Sequence, residues 1–183
     1  MKRIAAMTSP LGLLWLTEDS GSLVALDRTA PASCPADGLP LPDVPAPCPL
    51  LREARDQLRA YFAGRLRRFD LPLAPQGTPF QQRVWRALQD IPYGRTCSYR
   101  ELAAAVGNAR ACRAVGRANG RNPLMIVIPC HRVIAAGGGL GGYSGGLDCK
   151  RFLLALEHDV LSGSGAGPDA GRKTGPVVAS CGK

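Results

Sequence analysis

The chain has 183 residues, 45% of them hydrophobic, which suits one globular domain or two small ones sharing a core. No apolar run is long enough to span a bilayer. The seven cysteines form no CxxC pair, which speaks against a zinc ribbon or a thioredoxin motif. The net charge of +9, from 23 Lys+Arg against 14 Asp+Glu, suits a phosphate-rich partner, but charge alone does not show that it gathers on one face.

Residues 3–27 read as a meander of three strands, with turns at Pro10-Leu11-Gly12 and Glu18-Asp19-Ser20-Gly21. Residues 30–49 are too rich in proline for regular structure and read as a surface loop. Leu50–Gly64 carries Leu51, Leu58, Tyr61 and Phe62 at helical spacing and stops at Gly64. Phe69–Leu73 reads as a short extended segment, and residues 74–77 as a linker. The fold class expected is α/β (α+β). A small N-terminal domain over 1–75, with a short antiparallel sheet and a helix, precedes a mostly helical C-terminal domain over 78–160. A disordered tail over 161–183, rich in Gly and Ser, follows.

Within the second half, Thr78-Pro79 reads as an N-cap followed by proline at the first helical position. Phe80, Val84, Trp85 and Leu88 follow at helical spacing, and Ile91-Pro92-Tyr93-Gly94 ends the helix. Ser98 and Glu101 form a capping box for a short helix with Tyr99, Leu102, Ala103 and Val106 on one face. After a turn at Gly107-Asn108, a second helix spans about Arg110 to Gly120, the outline of a helix-turn-helix. On it Ala111, Ala114, Val115 and Ala118 share an inward side. Arg113, Gly116, Arg117 and Gly120 share the other, readable as a solvated face or as one that meets a sugar-phosphate backbone.

Ile126-Val127-Ile128 predicts a buried strand that Pro129 ends, presenting Cys130 and His131 just beyond it. A thiol there is either a packed cysteine or a nucleophile whose proton a neighbour removes. Adjacent residues of an extended chain point to opposite faces, so direct Cys130–His131 contact needs the bend or a bridging water. Glu157 sits in a helical run, Phe152–His158, and on its own reads as a surface ion-pair residue.

The segments Arg113–Asn119, Asn122-Pro123, Ile128-Pro129-Cys130-His131-Arg132-Val133, Gly142–Gly146, Lys150 and Glu157 together resemble the O6-alkylguanine-DNA alkyltransferases (methylated-DNA–protein-cysteine methyltransferases). The match is dense over 78–158, including Phe80–Trp85 and Ile91–Gly94, while residues 1–75 match mainly in layout. The resemblance implies a single-turnover enzyme of direct damage reversal. Such an enzyme flips O6-alkylguanine, with O4-alkylthymine as a second candidate lesion, out of duplex DNA and moves the alkyl group irreversibly to Cys130.

By the same resemblance, His131 is the base acting through a water, Glu157 orients it and Asn122 braces the turn around the site. Tyr99 rotates the target phosphate and bonds the flipped base. The backbone of Cys130, Val133 and Ser144 reads the guanine edge, and Tyr143 walls the pocket. Arg113 fills the gap left in the DNA stack, with Ala114, Gly116, Arg117 and Gly120 beside it on the DNA. Lys150 is a basic position near the site. No cofactor is implied, and no metal is expected because no His precedes His131. The implied partner is double-stranded DNA containing alkylated guanine, bound by a monomer. No membrane is involved, and the expected location is cytoplasmic, or nuclear in a eukaryote. A non-catalytic lesion-binding protein, a methylation-sensing regulator of the same fold and a thiol hydrolase are the competing readings.

Overall fold

The computed structural model describes residues 1–32 and 46–163. Most of the proline-rich segment, 33–45, and the tail from 164 lie outside the described residues. Contacts divide the chain into two compact units: Met1–Gln76 with Pro123–Val127, and Gly77–Asn122 with the chain from Ile128 on. Residues 123–127, which sequence reading places in the second domain, therefore cluster with the first unit.

In the first unit, β1 (Arg3–Ser9), β2 (Gly12–Asp19) and β3 (Ser22–Asp27) form an antiparallel sheet in the order β1-β2-β3. The register opposes Ala5 to Leu16 and Met7 to Leu14. A helix, α1 (Pro49–Phe62), starts with its proline where the missing N–H costs nothing and buries Leu51, Ala54, Leu58 and Tyr61. On the same buried face the Arg55 Nη2 donates to the Ala6 carbonyl. Two extended segments pair with β3 through parallel bridges, Leu73 with Leu23 and Leu124 with Leu26. The second is fixed by Leu26 N–H to the Pro123 carbonyl at 2.7 Å.

The second unit contains α2 (Pro79–Gln89), β4 (Cys97–Ser98), α3 (Tyr99–Ala105), α4 (Cys112–Gly120), β5 (Val133–Ile134) and α5 (Leu147–Ser162). Both helix starts read from the sequence close as reciprocal boxes: Thr78 with Gln81, and Ser98 with Glu101. Trp85 of α2 is buried and donates its indole N–H to the Ala118 carbonyl at 2.9 Å, tying α2 to α4. The two-residue strands β4 and β5 pair in parallel, Cys97 opposite Val133. That pairing matters for the site, because β4 runs directly into Tyr99 and β5 directly follows Cys130–Arg132.

Three expectations need correction. Ile126-Val127-Ile128 is buried, as expected, but forms a turn and no strand, with Ile126 at φ 71°. Hydrophobicity and β-branching report burial, and a short apolar run does not say which backbone shape achieves it. A β-branched residue in the left-handed region is strained, and the surrounding contacts must hold it there. On α4, Ala114 is exposed instead of packing inward, and Asn119 joins Val115 and Ala118 on the buried side. Leu161 and Ser162 belong to α5, which Gly163 closes in the left-handed conformation that glycine adopts most easily, so the tail starts later than residue 161. Among the described residues no helix is long and apolar enough to cross a membrane.

Loss of the N-cap hydroxyl in Thr78→Ala is expected to destabilise the protein by about 1 kcal/mol. The measurement is the urea midpoint at constant m-value. A midpoint that does not move would show that the box at the start of α2 is open in solution.

Candidate active site

Cys130 opens a single 3-10 turn, Cys130–Arg132, and is not on an extended chain as the strand reading implied. Two buried asparagines grip the backbone on either side of Pro129. Asn122 Nδ2 donates to the Ile128 carbonyl at 2.8 Å, and Asn119 Nδ2 reaches the Cys130 carbonyl at 3.4 Å. Sequence reading assigned a brace only to Asn122. The available signal for Asn119 was a polar residue on the apolar stripe of α4, next to Ala118 and four positions after Val115.

The Cys130 side chain is 1% exposed, and this burial pushes its thiol up from the ordinary range. Hydrogen bonds from Asn122 and Tyr143 and the charge of Lys150 pull the other way without overcoming it. At neutral pH the resting group is therefore a thiol, and a nucleophilic role requires a base.

His131 and Glu157 are both fully buried, with His131 Nε2 at 2.9 Å from Glu157 Oε1. A carboxylate can only accept, so this contact places the imidazole proton on Nε2 and leaves Nδ1 with its lone pair. Nδ1 has no hydrogen-bond partner among the described residues. Burial holds His131 below the ordinary imidazole range despite the Glu157 carboxylate, which favours the charged form.

Glu157 also accepts the Gly94 N–H at 2.9 Å and, from Arg132, Nε at 3.0 Å and Nη2 at 2.9 Å. Burial alone would raise its carboxyl, but His131 and Arg132 outweigh that and hold it at about 2. With His131 uncharged, the permanent charge that keeps the carboxylate ionised is that of Arg132. Sequence reading gave Arg132 no role of its own.

Lys150 of α5 is buried, and its ammonium donates to the carbonyls of Val133 and Leu140. Burial draws it down to about 8 against the opposing pull of Cys130. The second of these carbonyls stands just before the segment that carries Gly141, Gly142, Tyr143 and Ser144. Gly141 sits at φ 64°, and a Cβ there would press on the Tyr99 ring at 3.0 Å, so glycine is needed for both backbone shape and space. Burial, then the nearby Cys130, raises the Tyr99 phenol, which keeps it a hydroxyl donor at neutral pH.

Above these groups lies an open cleft of about 500 Å³. Arg113, Gly116, Arg117 and Gly120 of α4 form one wall, and Tyr99, Gly142, Tyr143 and Ser144 form the other. Tyr143 lines the cleft and stands near enough to Cys130 to favour its thiolate form. Of the residues read from the sequence, Ala114 is exposed without lining the cleft. Val133 is buried and does not line the cleft; its N–H donates to the Cys130 carbonyl and its own carbonyl accepts from Lys150. Among the described residues no group of three or more His, Cys, Asp or Glu side chains could hold a metal.

Residues 2–75 match the family described as 6-O-methylguanine DNA methyltransferase, ribonuclease-like domain, and residues 79–159 match 6-O-methylguanine DNA methyltransferase, DNA binding domain. The methylated-DNA–protein-cysteine methyltransferase of Methanosarcina barkeri is 60% identical over 110 residues, 60% of this chain and 70% of that protein. The constitutive one of Bacillus subtilis is 56% identical over 111 residues, covering 60% and 67%. Among solved structures, the O6-methylguanine methyltransferase of Mycobacterium tuberculosis superposes with a TM-score of 0.75 at 46% identity over 87% of this chain and 94% of that one. The M. tuberculosis protein in complex with DNA gives 0.74 at 47% identity, covering 86% and 93%. The arrangement of one buried thiol, one carboxylate-bound imidazole and a basic helix beside an open cleft thus occurs in a chain that belongs to the O6-methylguanine DNA methyltransferase family.

Proposed function

We propose that this chain reverses alkylation damage in DNA directly, taking the alkyl group from O6 of a flipped guanine onto Cys130 in a single irreversible event. The observation that carries the reading is a buried Cys130 next to a His131 that is bound to the buried Glu157 carboxylate, in the same unit as a cleft walled by Arg113 and Arg117. A base in a stacked duplex keeps its O6 substituent out of reach of a buried sulfur, so the nucleotide must leave the helix, at a cost of a few kcal/mol. Arg113 offsets part of that cost by entering the gap, and Gly116 and Gly120 let α4 approach the groove closely. Double-stranded DNA containing alkylated guanine is the partner, and a monomer carries the whole constellation.

In the transfer step Cys130 Sγ attacks the saturated carbon in line with the C–O6 bond. The S–C bond forms as the C–O6 bond breaks, and the electron pair of the latter remains on O6. The thiol proton passes through one water to His131 Nδ1 and finally to the departing guanine, so that hydrogen and alkyl group exchange places. The hydroxyl of Tyr99 and the backbone N–H of Ser144 donate to the developing oxyanion. Because burial keeps Cys130 protonated in the DNA-free protein, the sulfur is protected between encounters. The product is a thioether, which water does not cleave under mild conditions, and each molecule reacts once.

Titrating the protein with a duplex carrying labelled O6-methylguanine should give transfer that saturates at one methyl group per protein molecule. Cys130→Ala should bind the same duplex and transfer nothing. Repeated turnover would instead support a hydrolase. In Arg113→Ala the transfer rate on duplex DNA should fall by about tenfold or more, with a much smaller loss on a single-stranded oligonucleotide. Equal losses on the two substrates would remove Arg113 from the extrusion step.

A further inference from the structure

The segment Ile91-Pro92-Tyr93-Gly94 reads in the sequence only as a helix stop, yet three of its residues converge on one buried ion pair. The Gly94 N–H donates to Glu157 Oε2. The Ile91 carbonyl accepts Arg132 Nη1 at 2.6 Å, and the guanidinium carbon of Arg132 stands 5.6 Å from the centre of the Tyr93 ring. Gly94 is at φ 69°, and a side chain there would run into Leu161 of α5. Arg132 itself lays Nε and Nη2 across both oxygens of Glu157.

An unaccompanied buried carboxylate behind an imidazole strongly favours the imidazolium, because the charge pair is attractive in a medium of low polarity. Here the carboxylate already has a full positive partner. His131 therefore faces a nearly neutral ion pair, and its own burial disfavours taking up charge. The charged or titratable groups around it are Glu157 and Lys150 from α5, Arg132 from its own turn, and its chain neighbour Cys130. Of these only the Glu157 carboxylate favours the charged imidazole, while Arg132 and Lys150 oppose it.

We propose that Arg132 is a positioning residue that sets the proton affinity of His131, neutralising Glu157 so that the imidazole stays uncharged at rest and releases the proton it receives. This inference rests on the reading of Cys130 as acceptor and His131 as base. An imidazole backed by an unneutralised carboxylate would be protonated before the DNA arrived and could not relieve Cys130 of its proton. One held by the compensated pair accepts the proton only as the S–C bond forms and gives it up to the guanine. The residues 91–94 act through Arg132, holding the guanidinium flat against the carboxylate.

His131 and His158 are the chain's two histidines, and His158→Asn assigns their imidazole signals. The test is an NMR titration of His131 from about pH 5 to pH 8 in the DNA-free protein, compared with Arg132→Lys and Arg132→Gln. Lysine keeps the charge but cannot span both oxygens. The midpoint should rise in the order wild type, Lys, Gln, by about one pH unit or more for Gln. The acid limb of the single-turnover transfer rate should move up with it. A midpoint unmoved in both variants, or one that moves without the acid limb, overturns the proposal. If the Gln variant does not fold, the Lys variant decides, and no rise there overturns it. A wild-type protein that transfers no methyl group refutes the acceptor reading instead, a result the DNA-free titration does not depend on.

Discussion

The site depends on one buried carboxylate. Glu157 is fully enclosed, and its donors come from two other stretches of chain: His131 and Arg132 from the 3-10 turn after Pro129, and Gly94 from the turn that follows α2. A buried charge of this kind persists only when fully paired, and removing one partner typically costs about 3–5 kcal/mol. The geometry of the imidazole, and through it of Cys130, is thereby fixed by interactions that the second unit cannot relax cheaply. The same carboxylate decides the tautomer of His131, which places the lone pair on Nδ1.

Burial acts on the reacting groups in two directions. It raises Cys130 and Tyr99, which keeps the sulfur protonated and the phenol a donor, and it lowers His131 and Lys150. Cys130 and His131 are thus uncharged at rest in neutral solution, while Lys150 keeps its charge nearby. Lys150 ties this chemistry to shape, since its ammonium holds the carbonyls of Val133, three residues after Cys130, and of Leu140, three residues before Tyr143. The short pairing of β4 with β5 then brings Tyr99 to the same place.

Much of this was legible in the sequence where the determining interactions are local. Thr78-Pro79, read as a cap and a first-turn proline, and Ser98 with Glu101, read as a capping box, are local signals, and the helices they announce start where expected. The meander over 3–27 is likewise set by its turns. Interactions across the chain were not legible. Nothing near Ile126 announces a left-handed turn, because the three β-branched residues satisfy burial without a strand. The role of Arg132 depends on residues 41 and 25 positions away, Ile91 and Glu157, which no periodicity reveals. Asn119 left a trace as a polar residue on an apolar face, and the exposure of Ala114 shows that helical phase read from alanines is imprecise. The residues assigned to the chemistry were reached only through a combination that resembles a family, since Glu157 alone has no distinguishing context in the sequence.

The most direct test of the central claim asks which atom carries the alkyl group. After reaction with a duplex containing O6-methylguanine, digestion and mass spectrometry should find the added methyl on the Cys130 peptide alone among the seven cysteines. A methyl group on Cys97, Cys112 or Cys149, or none on the protein while the DNA is restored, would contradict the account.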